Sequence, residues 1–268
     1  MGNYSSRASP VRIFEEDGRC CLYTVSSNKN VKGGVVMKSE VVIGILTLDM
    51  APERLSIEED TPGCLSNNET LDFHLKRGIV RGATDGSPWW NGGKTSDFIE
   101  AAKKLEARGA KVIGGDCGFI SIYQKDIARV ISVSVVTSSL LLVPLVYRML
   151  AEDKKVGILT ASSERLGERQ FNAVGWSSKD VPVVLKGWGN IEWDPIMGAD
   201  GIPKSELVKA AKELIQENPD VGAIVIECSV MPRYTHAIHK ATGLPVFDIT
   251  TLIKLVYAAV DPPDYSRE

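Results

Sequence analysis

What this 268-residue chain lacks narrows the field first. It has no apolar run of the roughly 18 residues that a membrane span needs; the longest candidate, 130–149, is broken by Ser132, Ser134, Thr137, Ser138, Ser139 and Pro144. It has no excess of positive charge. With 31 Lys and Arg against 34 Asp and Glu, the net charge of −3 gives no field to attract nucleic acid, so no nucleic-acid partner is expected. The first forty residues lack the apolar block of a secretory signal. Five cysteines, an odd number in a long chain, read as free thiols in a reducing compartment, and the expected location is cytoplasmic. Histidine is scarce: His236 and His239 lie three apart, but no further ligands stand at zinc spacing, so no metal is expected. Gly114-Gly115 lacks the third glycine and the following acidic residue of a dinucleotide fingerprint, and no phosphate loop is present.

What the chain has is one unit built twice. Lys111–Ile113 is a short apolar run, followed by Gly114-Gly115, then Asp116-Cys117-Gly118. Apolar residues at helical spacing come next: Phe119, Ile122, Tyr123, Ile127 and Val130. The pattern predicts a strand, a tight turn and a helix, with a thiol at the turn. VGAIVI at 221–226, then Glu227-Cys228-Ser229 and a helix from Pro232, repeats it. A helix start offers unpaired N–H groups and a partial positive charge. There a thiol pKa can fall from about 8.5 to roughly 3.5–7.5, making each cysteine a candidate base or nucleophile. The competing reading is that both are small core hydrophobes; two cysteines at equivalent turns favour function.

Residues 1–40, polar and serine-rich, read as an extension outside the core. Their start, MGNYSS, fits the pattern for N-myristoylation of Gly2, and a single acyl chain would give only weak membrane association. Cys20 and Cys21 read as incidental surface thiols. VVIGILTL at 41–48 is a buried parallel strand. The punctuated stretch 50–70 reads as a long loop carrying Arg54, whose planar fork suits a substrate carboxylate, and a structural Cys64. A second strand region covers 73–83, Trp89-Trp90 form a surface turn, and 96–108 is an amphipathic helix feeding the Cys117 strand. After a strand at 133–137, Ser138-Ser139 either cap a helix or bind a ligand. KVGILT at 155–160 repeats VIGILT at 42–47, pairing Thr47 with Thr160 at equivalent strand ends. A loop at 187–201 holds Trp188 and Trp193, Ser205 caps a helix to 217, and a strand at 246–249 precedes a last helix.

These residues resemble the cofactor-independent aspartate/glutamate racemase superfamily, over about 41–255. The segments that carry the resemblance are CGF at 117–119, SSLL at 138–141, VGILT at 156–160, ECSVMP at 227–232 and LPVFD at 244–248. The resemblance implies an α/β fold: two similar three-layer αβα domains with parallel sheets, related by a pseudo-two-fold axis, with a cleft between them. The domains are expected at 41–136 plus 245–268 and at 137–244, with the C-terminal strand and helix returning to the first. It implies an isomerase that needs no cofactor. One thiolate takes the α-proton from one face of a small amino acid or related carboxylate, and the other thiol returns one to the opposite face.

Carried over, Cys117 and Cys228 are the catalytic pair. Backbone N–H groups at Gly118 and Ser229, with the hydroxyls of Thr47, Ser138, Ser139 and Thr160, would hold the carboxylate and its enolate-like transition state. The amino-acid racemases carry Asn-Thr after the first cysteine; here Gly118-Phe119 occupy that place and Ser229-Val230 follow the second, which implies a more apolar pocket. The expected partner is a small carboxylate or amino acid, with homo-oligomerisation left open. Two other readings stand beside it: a single-cysteine isomerase or decarboxylase, and a ligand-binding homologue without turnover.

Overall fold

The computed structural model describes residues 10–14, 20–24, 41–67, 69–84, 87–188, 203–263 and 265; Gly2 with its acylation pattern and Trp193 lie outside them. The chain divides into two units, Met1–Glu40 and Val41–Glu268. In the first, β1 (Pro10–Phe14) and β2 (Cys20–Thr24) form an antiparallel pair, an element that the polar composition of this stretch does not announce.

The second unit is two parallel sheets of four strands each. β3 (Val42–Leu48), β4 (His74–Val80), β5 (Ala110–Gly115) and β6 (Ser134–Val136) run in the order β4-β3-β5-β6. β7 (Lys155–Thr160), β8 (Val183–Gly187), β9 (Val221–Ile226) and β10 (Val246–Phe247) repeat it as β8-β7-β9-β10. The repetition extends to irregularities. The β3–β5 register shifts after Val42, and the β7–β9 register shifts after the equivalent Lys155.

The helices are α1 (Pro52–Asp60), α2 (Thr95–Ala107), α3 (Gln124–Ala128), α4 (Val143–Arg148), α5 (Glu168–Ala173), α6 (Lys204–Glu217), α7 (Thr235–Thr242) and α8 (Ile249–Val260). α2 and α6 cover the outer faces of the two sheets with matching apolar stripes: Phe98, Ala101, Ala102 and Leu105 on one, Leu207, Ala210, Ala211 and Leu214 on the other. Beneath each stripe a strand glycine makes room. A Cβ on Gly44 would come within 3.1 Å of Leu105 Cβ, and one on Gly157 within 2.7 Å of Leu214 Cδ2. The repeated VIGILT motif keeps its glycine because a helix leucine sits there.

Two helices change sides. α4 follows the first sheet but packs on β7, and α8 follows the second sheet but packs on β5 and β6. The core between the sheets therefore mixes residues of both halves, such as Ile43, Val112 and Ile253 with Val143, Val156 and Val225. The strand before α8 does not cross over as the sequence reading expects. β10 pairs with β9, Val246 opposite Ile224, because the edge of β9 takes it: the Ile224 N–H donates to the Pro245 carbonyl at 2.9 Å.

Other local readings also change. The stretch 50–70 holds α1, started by Pro52, where the missing N–H of proline costs nothing. Pro203, not Ser205, is the N-cap of α6. Trp89, in a 3₁₀ turn at Pro88–Asn91, is buried rather than lying on the surface.

Candidate active site

Each half delivers an acid and a thiol at the end of its third strand. After β5 the chain runs into Asp116-Cys117, and after β9 into Glu227-Cys228. The turns are fixed alike: Asp116 N–H donates to the Leu46 carbonyl at 3.0 Å, and Glu227 N–H to the equivalent Leu159 carbonyl at 2.8 Å. Cys117 is the N-cap of a 3₁₀ helix, Gly118–Tyr123, that continues into α3; the predicted helix starts more tightly than an α-helix would. Cys228 accepts the Met231 N–H through its carbonyl at 3.2 Å, closing the turn into a second 3₁₀ segment, Pro232–Tyr234.

The two turns meet. Ser229 Oγ donates to the Asp116 carbonyl, joining the residue after one cysteine to the residue before the other. Ser139 Oγ donates to the Ile226 carbonyl at 2.7 Å and ties the 3₁₀ segment after β6 to the end of β9. Cys117 and Cys228, both half-buried, line one cleft of about 650 Å³ together with Asp116, Glu227, Arg54 and Phe119. Trp89, Trp90, Trp188, Arg165 and Lys186 also stand at the lining, with Trp89 and Trp188 largely buried. The Arg165 guanidinium lies 5.3 Å from the centre of the Trp90 ring.

Arg54 is brought in by α1, buried rather than exposed, with its Nε donating to Glu58 Oε1 at 3.1 Å. The segment behind α1 is anchored on the other half, where Cys64, fully buried, packs with Val230 and Met231 and points its thiol at the Val230 carbonyl, 3.9 Å away. The other predicted groups sit behind the lining. Thr47 is buried and donates to the Ile45 carbonyl at 3.3 Å; Ser138 caps the Leu140 N–H at 3.2 Å; Thr160 donates to Glu227 Oε2 at 2.8 Å. Gly118 packs directly against the Glu227 carboxylate. Of the predicted set, Cys117, Cys228, Arg54, Phe119 and Ser229 line the cleft.

The electrostatics reverse one expectation. The helix-start donors are present, Phe119 N–H toward Cys117 and Val230 N–H toward Cys228, and they lower each thiol pKa as the sequence reading holds. They are outweighed. Burial pushes both thiols up, and the Glu227 charge beside them pushes further, so both rest as neutral thiols. Burial also raises Asp116 well above the usual carboxylate range, with the Glu58 charge adding to it against the Leu48 N–H. Burial lifts Glu227 to about 7, against the lowering effect of the Thr160 hydroxyl.

Asp116 and Glu227 are the residues that sequence reasoning passed over. The signal was an acidic residue immediately before each of the two equivalent cysteines. Among the described residues no group of three His, Cys, Asp or Glu side chains is disposed to hold a metal ion, and no helix is long and apolar enough to cross a membrane.

The unit aligns with unliganded arylmalonate decarboxylase at a TM-score of 0.55 and 14% identity, over 85% of this chain and 97% of that one. It aligns with the allantoin racemase of Klebsiella pneumoniae at 0.57 and 12%, over 82% and 88%. The fold is that of these two enzymes. No family model matches the chain. By sequence it is similar to a dimethylsulfoniopropionate lyase of Durusdinium sp. clade D, 32% identical over 181 residues, which is 63% of this chain and 60% of the relative. It is also similar to dimethylsulfoniopropionate lyase 5 of Emiliania huxleyi, 25% identical over 243 residues, 86% of this chain and 47% of the relative. The chain thus spans about half to three fifths of the length of these curated relatives.

Proposed function

We propose that the chain is a cofactor-independent enzyme that removes a proton from the carbon next to the carboxylate of a short acid, and that it completes the reaction as an elimination. The observation that carries this reading is the convergence of Cys117 and Cys228 on one cleft, each backed by a buried carboxyl group. Arg54 is the group suited to the substrate carboxylate. Trp89, Trp90 and Trp188 suit an apolar or cationic portion, since an indole face attracts a cation. Phe119 and Val230 at the lining agree with an acid that carries no α-amino group.

Relatives named dimethylsulfoniopropionate lyases favour elimination over racemisation. That substrate is a carboxylate with a dimethylsulfonium on its β-carbon. Loss of one α-proton, with the C–H electron pair forming the new double bond and the C–S pair leaving with sulfur, yields acrylate, dimethyl sulfide and one proton. One base is sufficient for this, whereas stereoinversion at carbon needs a base on each face. The racemase reading keeps the support of two thiols on a single cleft.

The test is incubation with dimethylsulfoniopropionate in D₂O, reading headspace dimethyl sulfide by gas chromatography, beside small amino and hydroxy acids read by NMR for deuterium at the α-carbon. Dimethyl sulfide and acrylate from the wild type, lost when the acting thiol is changed to serine, are the expected outcome. Exchange with inversion and no elimination would move the assignment to a racemase. Ligand binding with neither would leave a ligand-binding homologue.

A further inference from the structure

We propose that Glu227 is the proton acceptor through which the thiols of Cys117 and Cys228 become reactive, a role exerted on sulfur rather than on the substrate carbon. The inference rests on the reading that the reacting group is one of these thiols.

Three observations meet at this side chain. Glu227 is 1% exposed, and its Oε2 accepts from Thr160, while Oε1 is buried with no hydrogen-bond partner among the described residues. A buried carboxylate oxygen with no donor is costly, so its retention calls for a role. Oε1 also occupies the place of an absent side chain: a Cβ on Gly118 would overlap it. The carboxyl of the second half therefore rests on the residue after Cys117, while its own backbone leads into Cys228. Finally, Glu227 heads the charged neighbours of both thiols; Asp116 also faces Cys117, and Arg54 and Glu58 face Cys228. Asp116 has no such freedom, since both of its oxygens are engaged by the Leu48 N–H.

The step balances without an outside reagent. The Glu227 carboxylate takes the S–H proton and becomes a carboxylic acid, leaving a thiolate. The thiolate takes the α-proton, the C–H electron pair passing to the substrate, and becomes a thiol again. Glu227 then releases its proton to water. Net, one proton leaves the substrate, and a buried negative charge is moved rather than created. A carboxyl titrating near 7 is placed to do this at neutral pH.

Alkylation by iodoacetamide tests the inference on the full-length protein without substrate, following the Cys117 and Cys228 peptides by mass spectrometry across pH 5–9. The wild type is expected to show a rise in rate centred near pH 7. Glu227→Gln should slow alkylation at pH 8 by about tenfold or more and remove the rise, while Glu227→Asp keeps it. If Glu227 acts only as a nearby negative charge, its removal lowers the thiol pKa values, so Glu227→Gln alkylating as fast as the wild type or faster overturns the inference.

A second variant serves if Glu227→Gln fails to fold. Thr160→Val removes the hydroxyl that holds the Glu227 pKa down, so the rise should move to higher pH. A rise that stays in place overturns the inference. Because no substrate is involved, an intact Glu227-dependent rise in a protein that evolves no dimethyl sulfide would sink the lyase reading and leave this one standing.

Discussion

At the end of β5 the Asp116 carboxylate takes the Leu48 N–H on both oxygens, at 3.3 and 3.1 Å; at the end of β9 Glu227 takes one hydroxyl, Thr160, at 2.8 Å, and its other oxygen has no partner among the described residues. The two residues hold equivalent backbone positions. Each follows the third strand of its sheet, each donates its N–H to the matching leucine carbonyl, and each precedes a cysteine. What differs is one methylene. The shorter acid folds back onto its own sheet, while the longer one reaches past it to Gly118 of the other half. A duplicated scaffold has thus kept two thiols alike and given their supporting acids different work, one holding a strand end and the other free to accept a proton.

The largest expected effect asks whether the thiols are as alike as their turns. Elimination needs a single base, so Cys117→Ser and Cys228→Ser should be unequal. One should cost roughly 10³-fold or more in kcat, and the other, which only walls the cleft, clearly less. Equal losses would restore the two-base symmetry of a racemase.

The scaffold should behave symmetrically where the thiols' acids do not. Leu105→Ala and Leu214→Ala remove equivalent fully buried side chains packed over Gly44 and Gly157, and each should destabilise the fold by about 2–5 kcal/mol in denaturant titration. A loss in one half only would show that the halves do not share one packing scheme.

Charge gives a third way to separate them. Glu227 has a folded pKa of about 7, above its ordinary value of 4.5. The folded state therefore binds this proton more tightly than the unfolded state. The contribution is fully present below about pH 4.5 and is lost as pH rises through 7, in all about 3 kcal/mol. Thermal melting should show a higher Tm at pH 5 than at pH 8. Glu227→Gln should flatten much of that slope, the remainder belonging to Asp116, which is raised in the same direction.

The smallest effect concerns the tie between the halves. Ser139→Ala removes the hydroxyl that satisfies the Ile226 carbonyl and should cost about 1–3 kcal/mol, read as a shift in denaturant midpoint with an unchanged slope.

Much of this architecture was legible because repetition is visible in one dimension. VIGILT against KVGILT marked the paired first strands, and a cysteine after each third strand marked the cleft. Helix α1 was hidden because its nine residues, PERLSIEED, bury only Arg54 and Glu58, so no apolar period announces it. The thiol pKa is hidden from the sequence for a related reason. The helix-start argument is local and correct in sign, but what decides the balance is burial together with a carboxylate, and for Cys117 that carboxylate comes from a residue 110 positions along the chain. The destination of β10 depended on which sheet edge stood open, and two residues of strand carry no record of that.

The central claim is that two sulfurs face one substrate-sized space, and a trivalent arsenical, which bridges paired thiols, addresses it most directly. Treatment of the full chain with phenylarsine oxide should give one arsenic joining the Cys117 and Cys228 peptides, with turnover lost in the same proportion and protection by bound substrate. Separate modification of the two cysteines, or a bridged protein that retains its activity, would contradict the account.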